Sequence, residues 1–504
     1  MENVLAGFQQ LLAPNVLIVI VLISALGLLF GAIPGLTATM AVALLVPFTF
    51  FMEPIPALVA MVTISAMAIF AGDIPGALVR IPGTPASAAY TEESYKMTQR
   101  GQGELVLGVD VVSSAIGGIM GAIILMVAAS LLAEVALQFT SFEYFWLAAL
   151  GLSSTVMVAS SSPAKAAIAI LLGLLLSTVG LDITLGYPRF TFGQVELLNG
   201  INFIPAMIGL FGIAEVIRNV LTGNVYMQPL RVNAEGIFRG VGRTLWRYRG
   251  NMLRSGILGT IVGILPGAGA DIAAWLAYAI SRQRSKEPEK FGKGHIEPIV
   301  DAGTANNSCL AGAWVPALVF GIPGDTITAV VIGVLFMKGL RPGPTIFERA
   351  PDVIYATYFA FFLANILMVP FGYLAIKVAG HLLRIPRNIL MPVIVMFCVV
   401  GAFAINNSLF DVGIMLAMGI LGYLLEVNGI PVAPVVLGLV LGPILEKNFM
   451  FSMTKTNWDL LPFFSRPIAG LLGILTVAIW LTPFYPRLFH YWRLLRRRWL
   501  VTEQ

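Results

Sequence analysis

Val262-Gly263-Ile264-Leu265-Pro266-Gly267-Ala268-Gly269-Ala270, past the middle of the chain, echoes Phe30-Gly31-Ala32-Ile33-Pro34-Gly35-Leu36-Thr37-Ala38 near its start. Each phrase is followed by a second breaker. These are Arg80-Ile81-Pro82-Gly83-Thr84-Pro85-Ala86-Ser87-Ala88 in one case and Gly321-Ile322-Pro323-Gly324-Asp325-Thr326-Ile327-Thr328-Ala329 in the other. The pattern predicts an internal repeat of about two hundred residues whose apolar helices break at corresponding places, the pointer to a secondary transporter's binding site. One Gly-Pro pair is what a simple kink in a membrane helix looks like. Four pairs in matched positions favour broken helices.

Composition sets the class. Of 504 residues, 58% are hydrophobic and 11% charged, with a mean hydropathy of +0.88. That is more apolar surface than one soluble core buries, and the longest apolar runs are enough to cross hydrocarbon. The chain reads as an all-α polytopic membrane protein. Residues 16–30 lack a preceding Lys or Arg and run into a Pro-Gly break, unlike a cleaved signal peptide, so they are expected to be retained. Cys309 and Cys398 lie far apart in apolar surroundings and predict neither a disulfide framework nor a metal cluster.

The net charge of +5 is concentrated in loops, where lipid headgroups account for it better than nucleic acid does. Seven arginines lie between Arg218 and Arg254, five Lys or Arg between Arg282 and Lys293, and five arginines between Arg487 and Arg498. Residues 1–79 contain no Lys or Arg. By the positive-inside rule the middle segment and C-terminus are cytoplasmic and the N-terminus is outside. The loop after the first break, Phe51-Met52-Glu53-Pro54-Ile55-Pro56, carries no positive charge, whereas its counterpart from Ser281 to His295 is strongly basic. Equivalent loops on opposite sides predict two inverted-topology repeats, with the broken or re-entrant helices at the midplane. Against strict inversion, Lys96 and Arg100 in one half and Lys338 and Arg341 in the other are similarly basic. The chain divides into a first repeat over 1–215, a basic cytoplasmic connector over 216–253, a second repeat over 254–465, and a last helix with a basic tail over 466–504.

Residues 255–265 as a helix rise only about 16 Å against a hydrocarbon core of about 30 Å. Pro266-Gly267 is therefore expected at the tip of a re-entrant hairpin, with 268–280 returning to the same side. Broken backbone at that depth is tolerated where it faces a polar cavity or other protein. Ordinary membrane helices are expected around 109–132, 145–158, 165–179, 201–220, 353–375, 389–404, 412–425, 432–445 and 468–482. Gly117, Gly118 and Gly121 in the first of these read as helix packing.

Gly263-Ile264-Leu265-Pro266-Gly267-Ala268-Gly269-Ala270, Ala305-Asn306-Asn307-Ser308, Val315-Pro316, Gly321-Ile322-Pro323-Gly324-Asp325 and Gly339-Leu340-Arg341-Pro342-Gly343-Pro344 together resemble the large membrane subunit of the tripartite tricarboxylate transporters, the TctA type. Gly83-Thr84-Pro85-Ala86-Ser87-Ala88 extends the resemblance into the first half. It implies ion-driven uptake of carboxylates across the bacterial inner membrane, with a small membrane subunit and a periplasmic solute-binding protein that delivers substrate. In the family pattern an acidic residue often stands two positions before the Ala-Asn-Asn. Here Gly303 occupies that place, with Asp301 nearby.

The residues themselves point the same way, since helix N-termini at unwound tips offer partial positive charge and free N–H groups to a carboxylate. The expected substrate contacts are Gly35, Thr37, Thr39, Gly83, Thr84 and Ser87 from one half, and Gly267, Gly269, Asn306, Asn307, Ser308, Gly324 and Thr326 from the other. Thr37, Thr39 and Ser87 are equally readable as hydroxyls bonded to their own helices. Asp73, Asp271 and Asp325 are candidates for coupling to Na⁺ or H⁺, or else helix caps. His295 is expected to be solvated. No cofactor and no catalytic residue is expected. Two rival classes are an anion channel and an intramembrane aspartyl protease using Asp73 and Asp325. The Gly-x-Gly-Asp signature of the latter is absent, with Phe70 and Ile322 in the first glycine's place, and no His-Glu-x-x-His motif occurs.

Overall fold

The computed structural model describes residues 2–158, 162–222, 229–230, 232, 234–383 and 387–481. The predicted tail 482–504 and, in the connector, residues 223–228, Arg231 and Asn233 lie outside them. Apart from one antiparallel pair, Gly180–Leu181 with Pro188–Arg189, the described secondary structure is helical. Among the described residues, eight helices are long and apolar enough to cross a membrane. All nine ordinary segments expected from the sequence are helical, from Gly103–Ala136 to Pro467–Leu481. Ile18, Leu171, Phe336 and Leu471 are exposed on helix surfaces, as a hydrocarbon solvent permits.

Element order repeats across the halves. Helix Pro14–Ala32, a break at 33–37, helix Ala38–Phe50, the buried helix Pro54–Ala71, a break at 80–85 and the long helix Gly103–Ala136 form the first series. Arg249–Ile264, a break at 265–269, Ala270–Arg284, Glu297–Phe320, a break at 321–325, Thr326–Met337 and Pro351–Leu382 form the second. The boundary expected at 215/216 falls inside helix Ala214–Thr222, because its amphipathic turn continues past the basic residues that suggested a connector.

Each long helix packs on the middle helix of the other half. Gly117 and Gly121 approach the backbone of Thr304 and Ser308, so Gly103–Ala136 runs parallel to Glu297–Phe320. Val353 beside Pro54 and Gly372 against Phe70 make Pro351–Leu382 parallel to Pro54–Ala71. Gly118 meets Asn365 and Val111 meets Gly372, so the two long helices are antiparallel. The two middle helices therefore run in opposite directions. In lipid no hydrophobic force drives helices together, and glycines supply the close approach instead.

In both first hairpins the two arms return to the same end of the bundle. A surface cleft lined by Ala13, Val16, Glu53 and Pro54 puts the start of Pro14–Ala32 beside the end of its return arm Ala38–Phe50. In the second half, Asn251 donates to Glu297 (2.9 Å) and Asp301 (2.8 Å), while Ser285 donates to Glu297 (2.6 Å), so both arms meet at the start of one helix. The first arm begins at Arg249, six residues before the expected Ser255, and its 16 residues rise about 24 Å. Its tip still stands only as far along Glu297–Phe320 as Cys309 and Ala313, which Gly263 touches.

The paired basic residues that weighed against inversion have a structural role. Lys96 donates to Gly292 O (2.6 Å) and Arg100 to Lys293 O (2.6 Å), gripping the loop after the second hairpin. Lys338 donates to the Phe50 and Met52 carbonyls after the first. Lys338 thus caps the open end of Ala38–Phe50, whereas Lys96 and Arg100 hold carbonyls of the loop beyond Ala270–Arg284. Replacing Lys338 by Met is expected to speed amide exchange over 51–53 about fivefold, the worth of about 1 kcal/mol for a partly exposed charged hydrogen bond. Mass-spectrometric exchange rates unchanged there would leave this grip without energetic weight. His295, expected to be solvated, instead packs against Phe291, its side chain 10% exposed and 3.3 Å from Glu297. Glu93 draws it inward by accepting from its N–H (3.0 Å) and from Gly294 N–H (2.7 Å).

Candidate substrate cavity

The tips of the broken helices converge on a cavity of about 490 Å³. Three helix N-termini face it. Ala38–Phe50 is capped by Thr37, which accepts from Met40 N–H at 3.2 Å. Thr326–Met337 is capped by Asp325, which accepts from Thr328 N–H at 2.8 Å in a reciprocal capping box. Ala270–Arg284 starts from Gly269 and has no side-chain cap from that residue. Aligned peptide dipoles make all three ends electropositive.

The tips are pinned to one another. Thr39 Oγ1 and Thr326 Oγ1 are 2.8 Å apart across the halves, and within the second half Gly267 N–H donates to Gly324 O at 2.7 Å. Ser154 Oγ holds Pro266 O at 2.5 Å. Gly35 and Gly267 adopt φ of +95° and +83°, the left-handed region that only glycine occupies cheaply.

Of the expected contacts, Thr37, Thr39, Thr84, Gly267, Gly269, Asn306 and Thr326 line the cavity, and so do Asp271 and Asp325. The others lie elsewhere. Gly35 gives its carbonyl to Asn219 Nδ2 (3.2 Å). Gly83 is pressed against Gly31 and Gly72, and Gly324 against Ala313. Ser87 closes a turn with Thr84, the local bond foreseen for such hydroxyls. Successive residues of the Asn-Asn-Ser run point about 100° apart around the helix. Asn307 turns toward Met368 Sδ (3.7 Å) on the next long helix, and Ser308 bonds Ala305 O beside Gly259. Asp73 sits behind the cavity wall facing Asp110, whereas Asp325 is engaged by Thr328. The aspartyl pair required by the protease reading is thus not assembled.

Sequence reasoning missed Thr155, Glu215, Arg218, Glu426 and the stretch 431–434, which also line the cavity. Arg218 is the sole cation among the lining residues, and it bonds Glu215 and, at 3.2 Å, Glu426. A signal existed, because Glu215 and Arg218 are charges three apart at the end of an apolar run. Their distant partner on Leu409–Val427 was not readable from spacing. The lining holds four carboxylates, Glu215, Asp271, Asp325 and Glu426, against one guanidinium.

Matched Pro-Gly tips around a polar cavity inside an apolar helix bundle define a multi-pass membrane transport protein. Residues 17–437 match the tripartite tricarboxylate transporter TctA family, and the chain belongs to that family as a membrane transporter subunit. It is 35% identical over 492 residues to an Agrobacterium vitis protein described as an uncharacterized 52.8 kDa protein in the TAR-I ttuC' 3' region, covering 96% of each chain. A second Agrobacterium vitis protein, from the TAR-II ttuC' 3' region and also uncharacterized, is 35% identical over 222 residues, 44% of this chain and 92% of its own. No solved structure matches.

Proposed function

We propose that this chain is the permease subunit of an ion-coupled importer of di- or tricarboxylates in a bacterial inner membrane. A small membrane subunit completes the membrane part, and a periplasmic binding protein delivers the substrate. The observation that carries the reading is the convergence of three helix N-termini from two repeated halves on one cavity. Positive helix ends hold a carboxylate without a free Lys or Arg. The surplus of acidic side chains in the lining favours entry of the anion together with Na⁺ or H⁺ over passage through an anion channel.

The halves are inverted repeats in this reading. Antiparallel middle helices support it, as do the basic residues 282–293, Arg247, Arg249, Lys96 and Arg100 gathered at the end where Glu297–Phe320 begins. That end is then cytoplasmic, and the Glu53 end faces the periplasm.

The test is uptake of labelled di- and tricarboxylates into proteoliposomes holding the chain with its small subunit and binding protein, with and without inward Na⁺ or proton gradients. Accumulation that collapses with the gradient is expected. Flux that never exceeds equilibrium under any gradient would make the chain a channel. Asn306→Ala is expected to lower uptake at least tenfold, because this fully buried side chain stands in the cavity wall with both amide atoms unbonded. Uptake and substrate binding both at wild-type level in that variant would remove Asn306 from the site.

A further inference from the structure

Behind the cavity wall lies a cluster that the substrate contacts do not use. Asp73, at the start of the short helix Asp73–Val79, and Asp110, on Gly103–Ala136, face each other at 4% and 2% exposure. The Tyr90 hydroxyl points at Asp73 and Asn306 without closing a hydrogen bond to either. Asp110 Oδ1 lies 2.9 Å from where a Cβ on Gly303 would stand, with the Ser113 and Ser114 hydroxyls at 3.2 and 3.4 Å from the same point. In this chain a carboxylate from another helix therefore fills the space beside Gly303. Among the described residues, no Lys, Arg or His forms an ion pair with Asp73 or Asp110.

Six oxygens gather here without a hydrogen bond, two each on Asp73 and Asp110, Tyr90 Oη and Asn306 Oδ1, beside the equally unbonded Asn306 Nδ2. Leaving them so is costly, since a buried unsatisfied polar group loses its hydration and a buried unpaired carboxylate loses far more. A proton shared between the two carboxyl groups, with the Tyr90 O–H turned to Asp73, would satisfy four of the six and leave the other two bare. A hard cation takes about six oxygen ligands and satisfies the set, and the absence of nitrogen or sulfur donors in it fits such an ion.

We propose that Asp73, Asp110, Tyr90 and the Asn306 amide oxygen form a Na⁺ site, separate from the substrate cavity and sharing Asn306 with it. The choice of Na⁺ among hard cations rests on the transporter reading above. Two physical links join the sites. Asn306 lines the cavity from one side and meets Tyr90 on the other. Gly72, next to Asp73, accepts from Gly83 N–H at 2.9 Å, and Thr84 beside Gly83 lines the cavity. An ion on Asp73 thus holds the 83–87 turn and Asn306 in place for the substrate, and its departure frees both.

The experiment is equilibrium binding of ²²Na⁺ to the purified full chain in detergent, with no substrate present. Saturable binding is expected. Asp73→Asn and Asp110→Asn should each weaken it at least tenfold, and Tyr90→Phe, which keeps the ring's packing, severalfold. Gly303→Ala should weaken it by pushing the Asp110 carboxylate aside. Glu134→Gln, near the far end of the same helix, should leave it unchanged. Gel filtration establishes that each variant is folded. No saturable ²²Na⁺ binding by the wild-type chain, or wild-type isotherms in both Asp variants, would overturn the site. Proton uptake by the Asp pair without Na⁺ binding would overturn it as well. Carboxylate uptake whose Na⁺ dependence survives Asp110→Asn would sink this inference and leave the transporter standing. Na⁺ binding in a chain that moves no carboxylate would do the reverse.

Discussion

Gly267→Ala is expected to lower carboxylate uptake about a hundredfold while the chain still inserts and purifies as a folded protein. Gly267 sits at φ +83°, which costs an L-residue about 1–2 kcal/mol. A Cβ there would also overlap the Thr155 hydroxyl and come within 2.7 Å of its Cβ. Thr155 does not swing away freely, because its hydroxyl donates to Gly151 O at 2.8 Å within its own helix. Strain and overlap together reach about 3 kcal/mol, and each 1.36 kcal/mol is a factor of ten. They fall on the tip whose N–H bonds Gly324 O, so the change displaces both breaks of the second half. Thr155→Ala in the same chain removes the worst overlap and leaves the backbone strain, so about a tenfold recovery is expected in the double variant. Wild-type uptake by Gly267→Ala alone would show that transport does not depend on this tip geometry.

Arg254→Leu is expected to destabilise the chain by about 3–5 kcal/mol, the cost of leaving a buried carboxylate without its partner. Asp301 is fully buried and accepts from Arg254 at 2.8 Å, from Asn251 at 2.8 Å and from Ser255. This network ties the first arm of the second hairpin to the helix it packs along. Asp301→Asn in the Arg254→Leu background removes the stranded charge while keeping the shape, so most of the loss should return. The check is a double-mutant cycle on unfolding midpoints in mixed micelles. A single-variant loss under 1 kcal/mol, or no recovery in the double variant, would mean that water reaches Asp301 and that the pair is not what fastens the hairpin.

Much of the fold was legible because the bilayer allows few solutions. An apolar run without partners for its backbone has to be helical, and a Pro-Gly pair repeated at matched places in such runs marks a break, whereas the single pair Pro75-Gly76 stays helical within Asp73–Val79. The nine ordinary helices and the four breaks follow from that. Arm lengths did not follow. Arg249–Ile264 begins in polar, basic sequence that hydropathy assigns to a loop, and it is helical there because Asn251, Arg254 and Ser255 all find Glu297 or Asp301. Lys338 and Lys96 were readable as basic residues, though not as donors to distant carbonyls, since their acceptors stand 286 and 196 residues away.

The candidate site divides along the same line. Residues on the tips themselves, such as Thr37, Gly267, Gly269 and Thr326, were visible because a broken helix exposes its own N-terminus and its glycines to whatever lies beside it. Inside helices Asn306 was foreseen, but Thr155, Glu215 and Arg218 were not, because 3.6-residue periodicity fixes which positions share a face and says nothing of what that face meets. Asn306 and Asn307 look alike in sequence, yet about 100° of helix rotation sends one to the cavity and the other to Met368. Asp110 lay unremarked in an apolar segment until packing of Gly103–Ala136 on Glu297–Phe320 set it against Gly303 and Asp73.

By itself the sequence determined a helical membrane protein with two matched pairs of breaks, since solvent, helix geometry and the chemistry of Gly and Pro act locally along the chain. Only the tertiary structure decided that the breaks of both halves share one cavity, and that two distant aspartates and a tyrosine meet behind it. Those arrangements depend on which glycines let which backbones approach, a property of pairs of helices and not of either alone.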